Sequence, residues 1–260
     1  TRQRKFDIIK ERVRKMHPFF DKNKGDVLMG LGLTTVFLDW DDTLIDFSVS
    51  EKNALTRTMA AFGTTLTAEM LARYSELNLS CWKRFERGEM EKSRVYLERY
   101  ELLFAEYGLP YDPVAFNARY LSELAEEVPA FDGAEDLCRL LHKRYDVYVV
   151  TNGDRNGQFR RIAKSGLEPY FDGVFVSERI GVGKPKKAYW DYVFAHIRET
   201  DASRTMIVGD SLTSDMASAD TVPGMKTCWV NPHGKKTDRI LTWEVKNLRE
   251  LISRFSEEEV

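Results

Sequence analysis

The side chains most able to do chemistry in this 260-residue chain are aspartates in a short, ordered pattern. Asp39 and Asp41 stand two apart in Asp39-Trp40-Asp41-Asp42-Thr43, directly after the apolar run Thr34–Leu38. In an extended chain residues i and i+2 point to the same side, so both carboxylates would face one pocket. Carboxylates that close repel unless a proton or a cation comes between them. A hard, oxygen-ligated ion such as Mg²⁺ meets that demand. A bare Asp-x-Asp also reads as a solvated acidic turn, so the pair alone decides little. Three further groups change the balance. Thr151-Asn152-Gly153 follows Val147–Val150 and offers a hydroxyl and backbone N–H groups. Gly183-Lys184-Pro185-Lys186 places a cation after Val174–Val176. Gly209-Asp210-Ser211, with Asp215 beyond it, adds acids after Thr205–Val208. Each has an ordinary reading as a turn or a helix cap. Together they supply a nucleophile, metal ligands and positive charge, which is what phosphoryl transfer needs.

These groups can act jointly only if the elements before them bring them to one place. Thr34–Leu38, Val147–Val150, Val174–Val176, Thr205–Val208 and Lys226–Val230 are short β-branched or apolar runs followed by polar or glycine residues, and they read as buried strands. Helical patterns lie between and after them: Leu137, Leu140 and Leu141; Tyr189, Val193, Phe194 and Ile197; Leu248, Leu251, Ile252 and Phe255. Strand–helix alternation predicts an α/β fold, a Rossmann-like parallel sheet with helices on both faces. In such folds the ligand sits at the carboxyl ends of the strands. Residues 47–128 break the rhythm with helical stripes alone. The stripes are Leu55, Met59 and Phe62; Leu71, Tyr74, Asn78, Trp82 and Phe85; and Leu97, Tyr100, Phe104 and Tyr107, stopped by Gly108 and Pro110. Asp112-Pro113 then reads as an N-cap with Pro at N1, opening a helix that carries Phe116, Tyr120 and Leu124. The expected organisation is a basic N-terminal extension (1–28), an α/β core (29–46 and 129–260) and an inserted α-helical cap domain (47–128).

The motifs Asp39-Trp40-Asp41-Asp42-Thr43, Thr151, Lys184 and Gly209-Asp210-Ser211-Leu212-Thr213-Ser214-Asp215 resemble, in order, the four motifs of the haloacid dehalogenase superfamily. The resemblance runs from about Thr34 to Val230, and the four motifs together are highly specific. The helical insert is similar to that superfamily's C1-type cap. Three stretches resemble its pyrimidine 5′-nucleotidase-like branch: Phe37 to Leu44; Asn78 through Trp82 with Phe85 to Gly88; and Thr227-Cys228-Trp229-Val230-Asn231-Pro232. The resemblance implies that Asp39 is the nucleophile that forms an aspartyl-phosphate, and that Asp41 is the general acid and then base. It implies Mg²⁺ held by Asp39, the backbone carbonyl of Asp41, and Asp210. Thr151 and the Asn152 N–H would bind the phosphoryl group. Lys184 would neutralise charge, and Asp215 would support Lys184 or the metal from behind. One departure is local: Ala217-Ser218-Ala219-Asp220 stands where the family commonly has a glycine pair.

The implied activity is a Mg²⁺-dependent phosphatase on small phosphomonoesters, foremost a 5′-nucleotidase on pyrimidine nucleoside monophosphates. A sugar-phosphate phosphatase or phosphomutase shares all four motifs. A dehalogenase of the same fold attacks carbon and needs no acid at the second aspartate, so Asp41 favours phosphate chemistry. A catalytically silent binding protein fits poorly with a complete motif set. Trp82 and Phe85 could stack a nucleobase, although aromatic stripes at this spacing more often form core.

Composition is consistent with these expectations. The chain is 43% hydrophobic and 31% charged with net charge −2, which excludes disorder and a nucleic-acid binder working by positive field alone. The balance is uneven: residues 1–28 hold nine Lys/Arg against four Asp/Glu, or +5, leaving −7 for the remainder. Phe6, Ile9, Val13 and Met16 form a helical stripe in that basic piece. It reads as a helix docked on the body or a leader upstream of Met29, with a membrane-surface or partner helix as the alternative. No run of about 18 apolar residues suggests a membrane span, and no apolar stretch follows the basic start as in a secretory signal. Cys81, Cys138 and Cys228 are scattered and odd in number, which fits a reducing, cytoplasmic setting. None of the four histidines is assigned a role.

Overall fold

The computed structural model describes residues 30–257. The basic stripe of the N-terminal extension lies outside these residues. Six strands form one sheet: β1 (Thr35–Leu38), β2 (Asp146–Thr151), β3 (Gly173–Val176), β4 (Thr205–Gly209), β5 (Lys226–Val230) and β6 (Trp243–Val245). Their spatial order is β3-β2-β1-β4-β5-β6, and every pairing is parallel. The alternation in the sequence predicts this α/β architecture. The last strand, β6, is not among the predicted ones. With three residues, of which only Val245 is buried, it carries too short a pattern to read.

Alternation within the strands divides the core in two. Val36, Leu38, Val147, Val149, Met206, Val208, Cys228 and Val230 face one side, where they pack with Leu137 and Leu141 and with Leu248, Leu251 and Phe255. Phe37, Tyr148, Val150, Ile207 and Trp229 face the other, against Tyr189, Trp190 and Val193. Both faces are covered, as a wholly parallel sheet requires.

Between β1 and β2 run five helices, α1 (Phe47–Ala61), α2 (Ala68–Glu86), α3 (Lys92–Tyr107), α4 (Pro113–Leu124) and α5 (Ala134–His142); α5 covers the sheet through Leu137 and Leu141, and the first four form a unit of their own. Asp46, Thr67 and Asp112 accept hydrogen bonds from the first-turn amides of α1, α2 and α4. Pro113 opens α4, and Gly108 ends α3 in the left-handed conformation at φ 63°. The first four helices pack around their own apolar centre, which includes Leu55, Met59, Tyr74, Tyr100, Phe104, Phe116 and Tyr120. On α2 the buried face is Met70, Tyr74, Leu77, Asn78 and Cys81. Leu71, Trp82 and Phe85 of the predicted stripe sit at its margin, half-buried. The true face is rotated because α2 packs along α3 and α3 along α4, and one helix pattern alone does not say where the neighbour lies.

Charge is also buried in this helical unit. Asn78 Nδ2 donates to Glu51 Oε1 at 2.8 Å, and Arg99 Nη1 donates to Asn78 Oδ1 at 2.8 Å. The Arg99 guanidinium lies 4.8 Å from the Tyr100 ring centre and 5.1 Å from that of Tyr120. Burial pushes the Glu51 carboxyl up to about 7 from its ordinary 4.5, outweighing the pull of Arg99. The folded state therefore binds this proton more tightly than the unfolded chain does. Stability from Glu51 is full below about pH 4.5 and declines as pH rises toward about 7. Thermal unfolding from pH 4.5 to 8 should show a declining component that Glu51→Gln flattens; identical pH slopes for the two proteins would contradict this.

Candidate active site

β1 is the strand at which the sheet's connections change direction, with β2 on one flank and β4 on the other. Ligands of open α/β sheets bind at that reversal, beyond the carboxyl ends of the strands. Leu38 pairs with Val149 on one side and Val208 on the other, and the Asp39 N–H donates to the Val208 carbonyl at 2.9 Å. Asp39 thus stands level with the ends of β2 and β4, where Thr151 and Asp210 lie.

The buried Lys184 ammonium holds this edge together. Its Nζ donates to Asp39 Oδ1 at 2.6 Å, to Asp215 Oδ1 at 2.6 Å and to the Val150 carbonyl at 2.8 Å. An ammonium has three protons, so all are committed. Burial disfavours its charge, but Asp215 and Asp39 outweigh that and raise its pKa. Asp39 is pushed up to about 7, by burial first and then by Asp215, against the pull of Lys184. Asp210 is raised well above its ordinary range by burial and by Asp215 and Asp39. Carboxylate oxygens of Asp39, Asp210 and Asp215 all lie within 4.8 Å of one another. Three carboxylates beside one ammonium leave negative charge uncompensated, and an all-oxygen donor set suits a hard divalent cation.

Thr151, Asn152 and Lys184 converge from two loops. Asn152 Nδ2 donates to the Lys184 carbonyl at 3.0 Å, and the Lys184 N–H donates to Asn152 Oδ1 at 2.9 Å. This reciprocal pair ties the loop after β2 to the loop after β3. Thr151 Oγ1 accepts from the Gly153 N–H at 3.1 Å and from Gln158 Nε2 at 2.8 Å. With both lone pairs engaged, its hydroxyl hydrogen is what remains to donate. Close approach explains two glycines. A Cβ on Gly209 would overlap the Asp215 carboxylate, and one on Gly153 would overlap the Gln158 side chain. In the departing segment, Ser218 Oγ donates to the Ser214 carbonyl at 2.8 Å, closing the loop after β4 without a glycine pair.

Asp41 takes partners of its own at this edge. Its carboxylate is near enough to Asp39 to oppose that group's ionisation, yet it lies outside the three-acid cluster. Asp42 turns the chain at φ 57°, and Asp41 points to helix α6 (Arg155–Ser165). Gln158 Nε2 donates to Asp41 Oδ2 at 2.7 Å, and Arg161 Nη1 lies 2.6 Å from Oδ1. Neither residue was marked by the motifs. Their i, i+3 spacing on a helix beginning just after Thr151-Asn152-Gly153 was the available signal.

Two contacts from the helical unit also reach this edge. Lys92, at the start of α3, donates to the Gly153 carbonyl at 2.6 Å and to Ser177 Oγ at 3.1 Å. Glu86, at the end of α2, accepts from Thr213 Oγ1 in the loop after β4. Residues 87–91 therefore lie between two anchor points, one at each loop. Trp82 and Phe85 pack edge-on at 5.8 Å near this turn, against Cys81, Met90 and Val95.

The family model for haloacid dehalogenase-like hydrolases matches residues 33–221. The HAD-hydrolase YfnB of Bacillus subtilis is 39% identical over 219 residues, covering 84% of this chain and 93% of that protein. The pyrimidine 5′-nucleotidase PynA of Streptococcus pneumoniae is 32% identical, covering 84% and 92%. The pyrimidine 5′-nucleotidase YjjG of Escherichia coli is 31% identical, covering 83% and 95%. The crystal structure of YfnB bound to magnesium aligns with a TM-score of 0.81 at 38% identity, over 85% of this chain and 98% of that one. A divalent cation at Asp39 and Asp210 would relieve the repulsion within the three-acid cluster and stabilise the fold. Millimolar Mg²⁺ is expected to raise the midpoint of thermal unfolding, and Asp210→Asn to abolish most of that rise. An unchanged rise in the variant would place the ion elsewhere.

Proposed function

The chain belongs to the haloacid dehalogenase-like hydrolase family, and on that premise we propose that it is a Mg²⁺-dependent phosphatase of small phosphomonoesters, acting foremost on pyrimidine nucleoside 5′-monophosphates. The observation that carries this reading is Asp39, held at the reversal of the sheet by Lys184 with the Thr151 hydroxyl nearby. The pyrimidine 5′-nucleotidases among its relatives support the substrate class. A bound Mg²⁺ would supply positive charge against the phosphoryl oxygens and the acidic cluster, with Asp39, Asp210 and the Asp41 backbone carbonyl as its protein ligands. Asp215 lies within the same acidic group and shares Lys184 with Asp39.

In this reading a carboxylate oxygen of Asp39 attacks phosphorus as the bond to the ester oxygen breaks. Asp41 gives its proton to that leaving oxygen. Water then attacks the aspartyl-phosphate, Asp41 takes the water's proton, and the bond to Asp39 breaks to release phosphate. The Thr151 hydroxyl and the Asn152 N–H donate to phosphoryl oxygens throughout. Lys184 has no uncommitted proton, so it acts by orienting Asp39 and by charge. Residues 47–128 serve as a cap over the site, anchored through Lys92 and Glu86. Trp82 and Phe85, half-buried beside the cap turn, offer aromatic surface to a base. A cytoplasmic setting is part of the proposal, in keeping with three buried, unpaired cysteines; among the described residues no helix is long and apolar enough to cross a membrane.

The test is phosphate release from nucleoside monophosphates, sugar phosphates and haloacids, with and without Mg²⁺. Pyrimidine nucleotides should lead in kcat/KM, chelation should abolish turnover, and Asp39→Asn should lower kcat by at least about 10³-fold. Sugar phosphates leading by orders of magnitude would replace the nucleotidase reading. Undiminished activity in Asp39→Asn would remove the nucleophile.

A further inference from the structure

Asp41 sits just before a sharp turn, with Asp42 at φ 57°, so strand geometry does not aim its side chain. Its neighbours do. Gln158 Nε2 donates to Oδ2 at 2.7 Å, and Arg161 Nη1 approaches Oδ1 to 2.6 Å as a charge contact. The two partners also orient each other, because Arg161 Nη1 donates to Gln158 Oε1 at 3.1 Å. They lie three residues apart on α6 and so share one face. The same Gln158 Nε2 donates to Thr151 Oγ1 at 2.8 Å. One amide thereby sets the spacing between Asp41 and the hydroxyl assigned to the phosphoryl group.

Arg161 is an expensive residue to keep in this place. It is 1% exposed, and its Nε and Nη2 find no hydrogen-bond acceptor. A buried guanidinium incurs a large desolvation cost, and a purely structural helix residue would not need it. The guanidinium carbon lies over the ring of Phe47, 5.3 Å from its centre. Phe47 is the first residue of α1, the point where the chain leaves the sheet for the helical unit. The contact therefore links the Asp41 carboxylate, through one side chain, to the entry of the cap.

We propose that Arg161, oriented by Gln158 and by the Phe47 ring, is the positioning residue that holds the Asp41 carboxylate for proton transfer to the leaving oxygen. The proposal rests on the acid–base reading of Asp41 given above. Misplacing a catalytic group by about 1 Å can cost about 10²-fold in rate. Asp41 also serves the later hydrolysis, which is the same for every ester, so the loss is read in kcat/KM, which covers aspartyl-phosphate formation alone and depends on the leaving group. An alkyl or nucleoside ester needs its oxygen protonated as it departs, whereas p-nitrophenolate leaves with little help.

The experiment compares wild type, Asp41→Asn, Arg161→Lys and the double variant on a nucleoside monophosphate and on p-nitrophenyl phosphate. Arg161→Lys is expected to lower kcat/KM by about 10- to 100-fold on the nucleotide and by less than about 3-fold on the aryl ester. In the Asp41→Asn background Arg161→Lys should add less than about 2-fold, because its effect passes through Asp41. Equal losses of kcat/KM on both esters, or losses that multiply in the double variant, would overturn the proposal. Should Arg161→Lys fail to fold, Phe47→Leu at the half-buried cap entry gives the same reading, with a smaller loss of the same leaving-group dependence. A uniform effect of Phe47→Leu on both esters would count equally against the proposal. The underlying reading fails separately: it falls if Asp41→Asn keeps full activity on the nucleotide. If Asp41→Asn shows the selective loss and the Arg161 and Phe47 variants do not, only the positioning role falls.

Discussion

Burying the Lys184 ammonium commits the ends of four strands to one geometry, because each of its protons must find an acceptor there. Asp39 comes from the end of β1, the Val150 carbonyl from β2, Lys184 from the loop after β3, and Asp215 from the loop after β4. An ammonium in this position without partners would cost several kcal/mol. Parallel register brings the acceptors level, and Gly209 leaves room for the Asp215 carboxylate beside the strand. The exchange of hydrogen bonds between Asn152 and Lys184 then ties two of the loops together. Positional accuracy in the site is thus a by-product of solving a desolvation problem.

That solution leaves an excess of negative charge. Lys184 offsets part of the charge on Asp39, Asp210 and Asp215, and burial together with mutual repulsion drives Asp39 and Asp210 toward protonation. A cluster of that kind is stable as an anion only with further positive charge beside it. Asp41, two residues from Asp39, escapes the problem by turning to Gln158 and Arg161. Neighbouring carboxylates in one motif therefore live in different surroundings, which is the condition for giving them different tasks.

The helical unit packs around its own apolar centre and meets the sheet edge at few polar points. Its apolar centre is built from its own aromatic residues, while Lys92 and Glu86 touch the loops after β2 and β4 across the acidic site. The Phe47–Arg161 contact adds a link at the base of the unit, beside Asp41.

Much of this organisation is legible in the order of residues. Strands β1 to β5 announce themselves by short β-branched runs, and Asp39, Thr151, Lys184, Asp210 and Asp215 each follow one of them, so a local pattern places every one at the same sheet edge. Capping signals at Asp112-Pro113 and Gly108 are local too and have the structure they predict. The pairing of Asp41 with Gln158 spans 117 positions, and no periodicity encodes such a distance. The face that α2 buries, with Met70, Leu77 and Cys81 in place of Leu71, Trp82 and Phe85, was set by the neighbouring helix and not by its own stripe. Strand β6 depends on β5 for its existence, since its three residues carry no pattern. The sequence by itself determined which chemical groups meet at the strand ends, because strand and turn signals are local. Only the tertiary structure decided how those groups divide among partners, because each buried charge takes whatever neighbour the packing brings within reach.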